Sequence, residues 1–268
     1  MDAEVTHSLV CAEELSLRAL RRLPQVAAGA DLAALIDAAL RAEDLDLRDY
    51  DVLVVCSKVI AKAEDRYLDL SSLTPSAAAL ELAAKSGKDP RMVQAILQDS
   101  SHVSRVARDV LVVRHNTGHV SANAGLDQSN VSPPNAAGNG PWVLRLPEDP
   151  DASAERLRAQ LSAAWNVRLG VVVSDSFGRP FRQGTVGTAI GCAGLPPLYD
   201  QRGRPDMFGR VLEHTLSATA DQVAAAADLV AGQADEARPV VRVRGLRFAE
   251  SAAGARVLCR KPEEDLYL

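Results

Sequence analysis

Several things are missing from this chain, and each absence removes a class of function. The four cysteines, Cys11, Cys56, Cys192 and Cys259, form no CxxC pair, so a zinc ribbon or thioredoxin-type site is excluded and reduced structural thiols are expected. No apolar run reaches the roughly 18 residues that a membrane helix needs. Acids stand near the N-terminus where a secretory leader carries bases, so a cytoplasmic protein with no membrane partner is expected. Positive charge is not in excess: 30 basic against 35 acidic residues give a formal charge of −5, which argues against general nucleic-acid binding. The familiar nucleotide and catalytic signatures are absent too. Gly87-Lys88 lacks the upstream glycine of a P-loop and is followed by Asp89, and no GxGxxG follows a strand. A nucleophile elbow at Ser176 would need glycine where Ser174 stands, and HExxH and EF-hand spacings do not occur. A nucleotide site in this chain must use a less common cradle.

What remains is a 268-residue sequence with 47% hydrophobic residues, enough for a sizeable core. No internal repeat and no composition shift divides it. Residues 1 to about 22 contain a charged stretch, EELSLRALRRL, that predicts a partly helical start, and Asp31 predicts the cap of a helix from Leu32 to about Arg41. Asp51 to Cys56 reads as a buried strand, and 66–75 as a polar connection. Helices are predicted from Pro75 to about Lys85 and from Asp89-Pro90 to about Ser100, followed by a strand at Val110–Val113. The Pro-, Asn- and Gly-rich stretch 132–140 predicts a flexible loop. Beyond it come a strand over Trp142–Leu146 and a helix entered through Asp149 and Pro150 that ends near Trp165. The C-terminal third predicts a strand around Leu212–Ser217, an alanine-rich helix from Ala220 to about Val230 and a strand at Val240–Val243.

Three polar stretches stand out. The first is Leu169–Gly194, where valines 171–173 form a buried strand that stops on Ser174-Asp175-Ser176, with a turn predicted from Phe177 to Arg182. One acid, two hydroxyls, two arginines and glycine-exposed amides suit a metal-bound phosphate, although a capping Asp on a surface turn fits the same letters. The second is Ser57-Lys58 with Lys62, following the 51–56 strand. There Ser57 and Lys62 can aim a hydroxyl and an ammonium at one phosphate, or the lysine can be plain surface. The third is Val120–Asn130, with Asn123, Asp127, Ser129 and Asn130 crowded around Gly125, which reads as a surface loop or a hard-cation site. His115 and His119 are four apart but separated by Thr117-Gly118, a turn context that speaks against a zinc pair.

Together with Leu23-Pro24-Gln25-Val26, SKVIAKAE at 57–64, SANAGLDQSN at 121–130, LPEDPDASA at 146–154, and GQADE at 232–236 with 239–245, the 174–194 stretch resembles the coenzyme F420-0:L-glutamate ligase family. The pieces run in family order from about residue 20 to 250. The resemblance implies an α+β fold of mixed sheets and packed helices, a single domain over 1–268 that can consist of two intertwined parts, and a homodimer. It also implies a GTP-dependent ligase that adds L-glutamate through a γ-linkage to F420-0 by way of an acyl phosphate, releasing GDP and phosphate.

Carried over by position, Asp127 and Asp175 resemble ligands of one divalent ion, and Ser176 and Gln233 ligands of a second; the ions are Mg²⁺ or Mn²⁺, with K⁺ left open as a further ion. Ser57, Lys62 and Asn130 resemble GTP contacts. Leu23, Pro24, Gln25 and Val26 would lie along the nucleotide, as would Gly232, Gln233, Ala234, Asp235 and Glu236. Lys62, Asp127 and Asp175 would carry the catalysis. Arg179 and Arg182 are matched to the acidic substrate on charge alone. Alternatives are a metal-dependent ligase of the same fold acting on another acidic substrate and, from a different class, a non-catalytic GTP sensor. The chain departs from the family pattern at Arg22 in place of Gly, at AGAD (28–31) in place of PGDD, and at Ala237-Arg238 in place of Gly-Ile. It ends at Leu268 without the fused nitroreductase-like domain of some relatives, which implies short glutamate tails.

Overall fold

The computed structural model describes residues 9–10, 12–131, 133 and 141–265. Cys11 and, apart from Pro133, the loop expected over 132–140 lie outside them. Strand β1 (Leu9–Val10) is followed by β2 (Ser16–Ala19), where partial helix was predicted. Leu17 and Ala19 alternate inward against the core while Ser16 and Arg18 stay exposed. A period of two was therefore present, and pairing with an open sheet edge overrode helix propensity. Helix α1 (Leu32–Ala42) starts as predicted, the Asp31 carboxylate accepting the Ala34 N–H at 3.0 Å. Strand β3 (Val52–Cys56) passes directly into helix α2 (Ser57–Ala63).

The 66–75 connection is more ordered than its polarity suggested, since it contains β4 (Tyr67–Asp69). Helices α3 (Ala77–Ser86) and α4 (Pro90–Gln98) follow. Strand β5 (Ser100–Ala107) was not anticipated, because three serines, a histidine and an arginine hide its alternation. It pairs with β6 (Val110–His115), which pairs with β7 (Val120–Ala122). Strand β8 (Trp142–Leu144) is shorter than predicted and joins β4. Helix α5 (Pro150–Trp165) has the predicted Asp149 cap, which accepts the Ala152 N–H at 3.0 Å.

The central stretch departs most from expectation. Strand β9 (Gly170–Arg179) does not stop at Ser174 but runs on through the expected turn, and β10 (Arg182–Ala193) returns antiparallel to it. The turn shrinks to Pro180-Phe181, because the ladder with β10 gives the polar residues backbone partners that a lone strand end would lack. After β11 (Tyr199–Asp200) comes β12 (Leu216–Ser217), only the end of the strand predicted from Leu212. Helix α6 (Thr219–Ala231), β13 (Val240–Arg244) and β14 (Arg247–Phe248) follow, and two short 3₁₀ turns, Ala255–Leu258 and Pro262–Glu264, end the described chain.

The main sheet has the order β10-β9-β3-β13-β2. Only β3 and β9 are parallel, so the sheet is mixed and the fold is α+β. Alternation divides its side chains between two cores. Leu53, Val55, Val171 and Val173 pack under α1 and α5, whereas Val52, Val54 and Val172 pack with α6. A third core lies between α3, α4 and the β5–β7 sheet, around Val93, Ile96, Leu111 and Val113. The exposed edge of β10 is closed by helix carboxylates: Gly187, Ala189 and Cys192 donate their N–H groups to Asp228 (3.1 Å), Asp221 (2.9 Å) and Asp151 (2.8 Å). That approach requires glycine, for a Cβ at Gly191 would lie 2.3 Å from the Pro150 carbonyl oxygen and one at Gly187 2.6 Å from that of Ala224. Among the described residues Cys56, Cys192 and Cys259 are free thiols, and no helix is long and apolar enough to cross a membrane.

Candidate active site

The parallel pair sets the position of the site. Cys56, the last residue of β3, stands opposite Ser174, and beyond that point the chains part. One becomes α2, the other continues as the β9–β10 ribbon. The crevice past the carboxyl ends of parallel strands is the place where α/β sheets bind ligands. Here it opens into a cavity of about 790 Å³. The predicted residues Leu23, Pro24, Gln25, Val26, Lys62, Asp127, Asn130, Asp175, Ser176 and Gly232 to Glu236 all line it. Ser57 does not: it is buried at the start of α2 with its hydroxyl donating to Asp175 Oδ1 at 3.1 Å. Arg179 and Arg182 do not line it either, being paired across the end of the β9–β10 hairpin.

The two acids reach the cavity from segments far apart in sequence. Asp127 is fixed by an isolated bridge to Leu144, with N–H···O distances of 3.0 and 2.9 Å in the two directions. Its Oδ1 accepts both the Ser129 N–H and the Ser129 hydroxyl at 2.8 Å, and its Oδ2 lies 2.5 Å from Lys58 Nζ. Burial works to raise the Asp127 carboxyl, but the Lys58 ammonium and the Ser129 hydroxyl outweigh it and hold it below the usual carboxylate range. Asp175 goes the other way. Burial pushes it up to about 6, the nearby Asp127 charge adding to the effect against hydrogen bonds from the Ser176 N–H and Ser57. Lys62 projects one helical turn beyond Lys58 and has no hydrogen-bond or ion-pair partner among the described residues. Burial and the Lys58 charge lower its pKa.

Next to Asp175 in β9, Ser176 donates its hydroxyl to Gln233 Oε1 at 2.7 Å. The Gln233 amide in turn donates to Asp228, whose other oxygen accepts the Gly187 N–H at 3.1 Å. Asp228 thereby fixes which end of the Gln233 amide faces Ser176. The loop carrying Gln233 leaves α6 through Gly232 and folds on itself, the Ala234 N–H donating to Glu236 Oε2 at 2.9 Å. Ala237 holds a φ of 53°, a left-handed conformation that favours glycine.

Asp127, Asp175, the Ser176 hydroxyl and the Gln233 carbonyl are all hard oxygen donors, the set that suits Mg²⁺ or Mn²⁺. Among the described residues no three His, Cys, Asp or Glu side chains gather into a set able to hold a metal, so an ion here depends on hydroxyl, amide and ligand oxygens as well. The histidine pair is no part of this. Thr117 Oγ1 bridges His115 Nδ1 at 2.6 Å and His119 Nε2 at 2.7 Å, and the rings stack with centroids 5.7 Å apart. Burial lowers the pKa of both, that of His119 to about 4. Sequence reasoning gave no role to Lys58 or Asp228, though each left a signal. Lys58 lies one turn before Lys62, and Asp228 is an acid in the last turn of an alanine-rich helix, where the dipole disfavours it.

A family profile described as F420-0:Gamma-glutamyl ligase matches residues 21–245. The chain is similar to proteins named coenzyme F420:L-glutamate ligase. It is 44% identical to that of Methanothermobacter thermautotrophicus, over 94% of this chain and 98% of the relative. Identity is also 44% with that of Methanopyrus kandleri, over 91% and 93%, and 42% with that of Archaeoglobus fulgidus, over 91% and 92%.

Proposed function

We propose, from the premise that the chain belongs to the F420-0:gamma-glutamyl ligase family, that it joins L-glutamate to F420-0 through a γ-linkage with GTP as phosphoryl donor. The observation that carries the reading is one cavity lined both by two ionisable acids, Asp127 and Asp175, and by Lys62, whose ammonium has no hydrogen-bond or ion-pair partner among the described residues. That arrangement suits a polyanion with a counter-cation, and a cavity of about 790 Å³ has room for a nucleotide. Lys62 meets phosphate oxygens as a point charge, and the backbone of 23–26 and 231–238 encloses the nucleotide. Asp127 and Asp175 would hold one Mg²⁺ or Mn²⁺, and Ser176 and Gln233 a second. Bound there, the ions offset the charge that develops as the phosphoryl group moves; a role for K⁺ is open.

The chemistry needs no protein nucleophile. The terminal carboxylate of F420-0 takes the γ-phosphoryl group as GDP leaves. The glutamate amine then attacks the acyl phosphate, the C–N bond forming as the C–O bond to phosphate breaks and the amine gives up a proton. Holding both reactants in the cavity supplies the rate gain expected of orientation. A cytoplasmic homodimer is proposed on the same basis. The nearly fully exposed Met207 and Phe208, at 95% and 93%, are apolar surface that a second copy would cover. A monomer mass in light scattering would remove the dimer.

The deciding experiment incubates the protein with F420-0, glutamate, GTP and Mn²⁺, and follows GDP together with a product heavier by one glutamyl unit. GTP bound without GDP release would instead support a sensor. Turnover only with another carboxylate would move the substrate and leave the mechanism.

A further inference from the structure

Lys58 and Lys62 sit one turn apart on α2 and both line the cavity, yet they are in different situations. Lys62 has no partner among the described residues. Lys58 Nζ is enclosed by oxygens: Asp127 Oδ2 at 2.5 Å, the Ser129 hydroxyl at 3.1 Å and the Ser129 carbonyl at 3.2 Å. The cradle is built for a cation. Ser129 orients Asp127 by donating its N–H and hydroxyl to Oδ1, which leaves Oδ2 for the charge. These are the oxygen types a divalent ion takes, and here the protein's own ammonium fills them.

We infer that Lys58 is a resident counter-cation that occupies the divalent-ion position at Asp127 until the nucleotide arrives. This rests on the reading that Asp127 holds an ion. A dication and an ammonium cannot share one carboxylate oxygen at this range, so the ion must displace Lys58. Without nucleotide, the displaced ammonium would be left between the ion and Lys62, with no anion to receive it. A triphosphate supplies that anion. Binding of ion and nucleotide is therefore coupled, and Lys58 sets the coupling. The lowered Lys62 pKa, caused in part by Lys58, fits two ammonium groups already close in the empty cavity.

The test measures Mn²⁺ affinity by electron paramagnetic resonance, with and without a non-hydrolysable GTP analogue. Wild-type protein should bind Mn²⁺ weakly alone and strongly with the analogue. Lys58→Met should tighten nucleotide-free Mn²⁺ binding at least about tenfold and shrink the enhancement by the analogue. Lys58→Gln, which keeps a hydrogen-bonding head and loses the charge, should do the same. Unchanged or weaker nucleotide-free binding in both variants, with native circular dichroism, overturns the inference. Asp127→Asn separates the two layers of argument. If it abolishes Mn²⁺ binding while both Lys58 variants match wild type, only the role of Lys58 fails; if it binds Mn²⁺ like wild type, the ion is not at Asp127 and both readings fail.

Discussion

Replacing Asp175 by Asn should stabilise the metal-free protein while abolishing turnover. The side chain keeps its size and an oxygen that can accept the Ser57 hydroxyl, now 3.1 Å from Oδ1. It loses a charge that the apo cavity disfavours, since burial moves the carboxyl from 3.8 to about 6. In the folded state the group binds a proton more tightly than in the unfolded chain. Its contribution is thus fully present below about pH 3.8 and is lost as pH rises through about 6. Taken whole, that shift corresponds to about 3 kcal/mol above pH 6, and water in the cavity reduces it, so roughly 1–3 kcal/mol is expected. For a chain of this size the gain in Tm is about 2–6 °C. Calorimetry in EDTA should show the wild-type and Asp175→Asn curves converging near pH 4 and separating toward neutrality, the variant higher. Mn²⁺ with a GTP analogue should raise the Tm of wild type more than that of the variant, which keeps Lys62 and the other nucleotide contacts but loses one anionic ion ligand. A variant that melts below wild type at neutral pH, or that turns over normally, would refute the reasoning.

Lys62→Met should weaken GTP binding about 10- to 100-fold, the loss of one charge-assisted phosphate contact, read by isothermal titration, with Tm unchanged or slightly higher in a thermal melt because an unpartnered half-buried ammonium is removed. Ala237→Gly should relieve the left-handed backbone at φ 53°, and against the added freedom of the unfolded chain a net gain of about 0.5–1 kcal/mol is expected, read as a small rise in Tm. Acid should act on the His115–Thr117–His119 unit. The folded-state pKa of His119 is lowered from 6.5 to about 4, so its contribution is present above pH 6.5 and falls away toward pH 4, on the order of 3 kcal/mol in all. His119→Gln should flatten that part of the stability profile, and an unchanged slope in urea titrations would exclude this histidine as its source.

Local chemistry made much of the fold legible. Asp31, Asp149 and Pro150 announced two helix starts because a cap is read within three residues. The valines of β3 and β9 announced buried strands because both faces of the sheet are covered. Structure that depends on distant partners was not legible. β2 exists because β13 offers an edge, and the polar half of β9 stays extended because β10 pairs with it. β5 is held by β6 although its own letters are mostly polar.

The same division runs through the site. The family pattern supplied Asp127, Asp175 and Gln233 as letters in three separate segments, but only the parting of β3 and β9 explains why they face one space. Lys58 and Asp228 act on those residues from behind, one holding Asp127 and the other Gln233. A side chain whose role is to fix another has no signature of its own in sequence, because its partner lies 69 positions away in one case and five in the other. Both are placed by the geometry of backbone around them. α2 begins at Ser57, directly after the last residue of β3, which delivers Lys58 to the crevice, and the missing side chain of Gly187 lets α6 come close enough for Asp228 to reach its N–H. The glycines and strand ends that read as scaffold in the sequence are therefore what decide where the charged groups of the cavity stand.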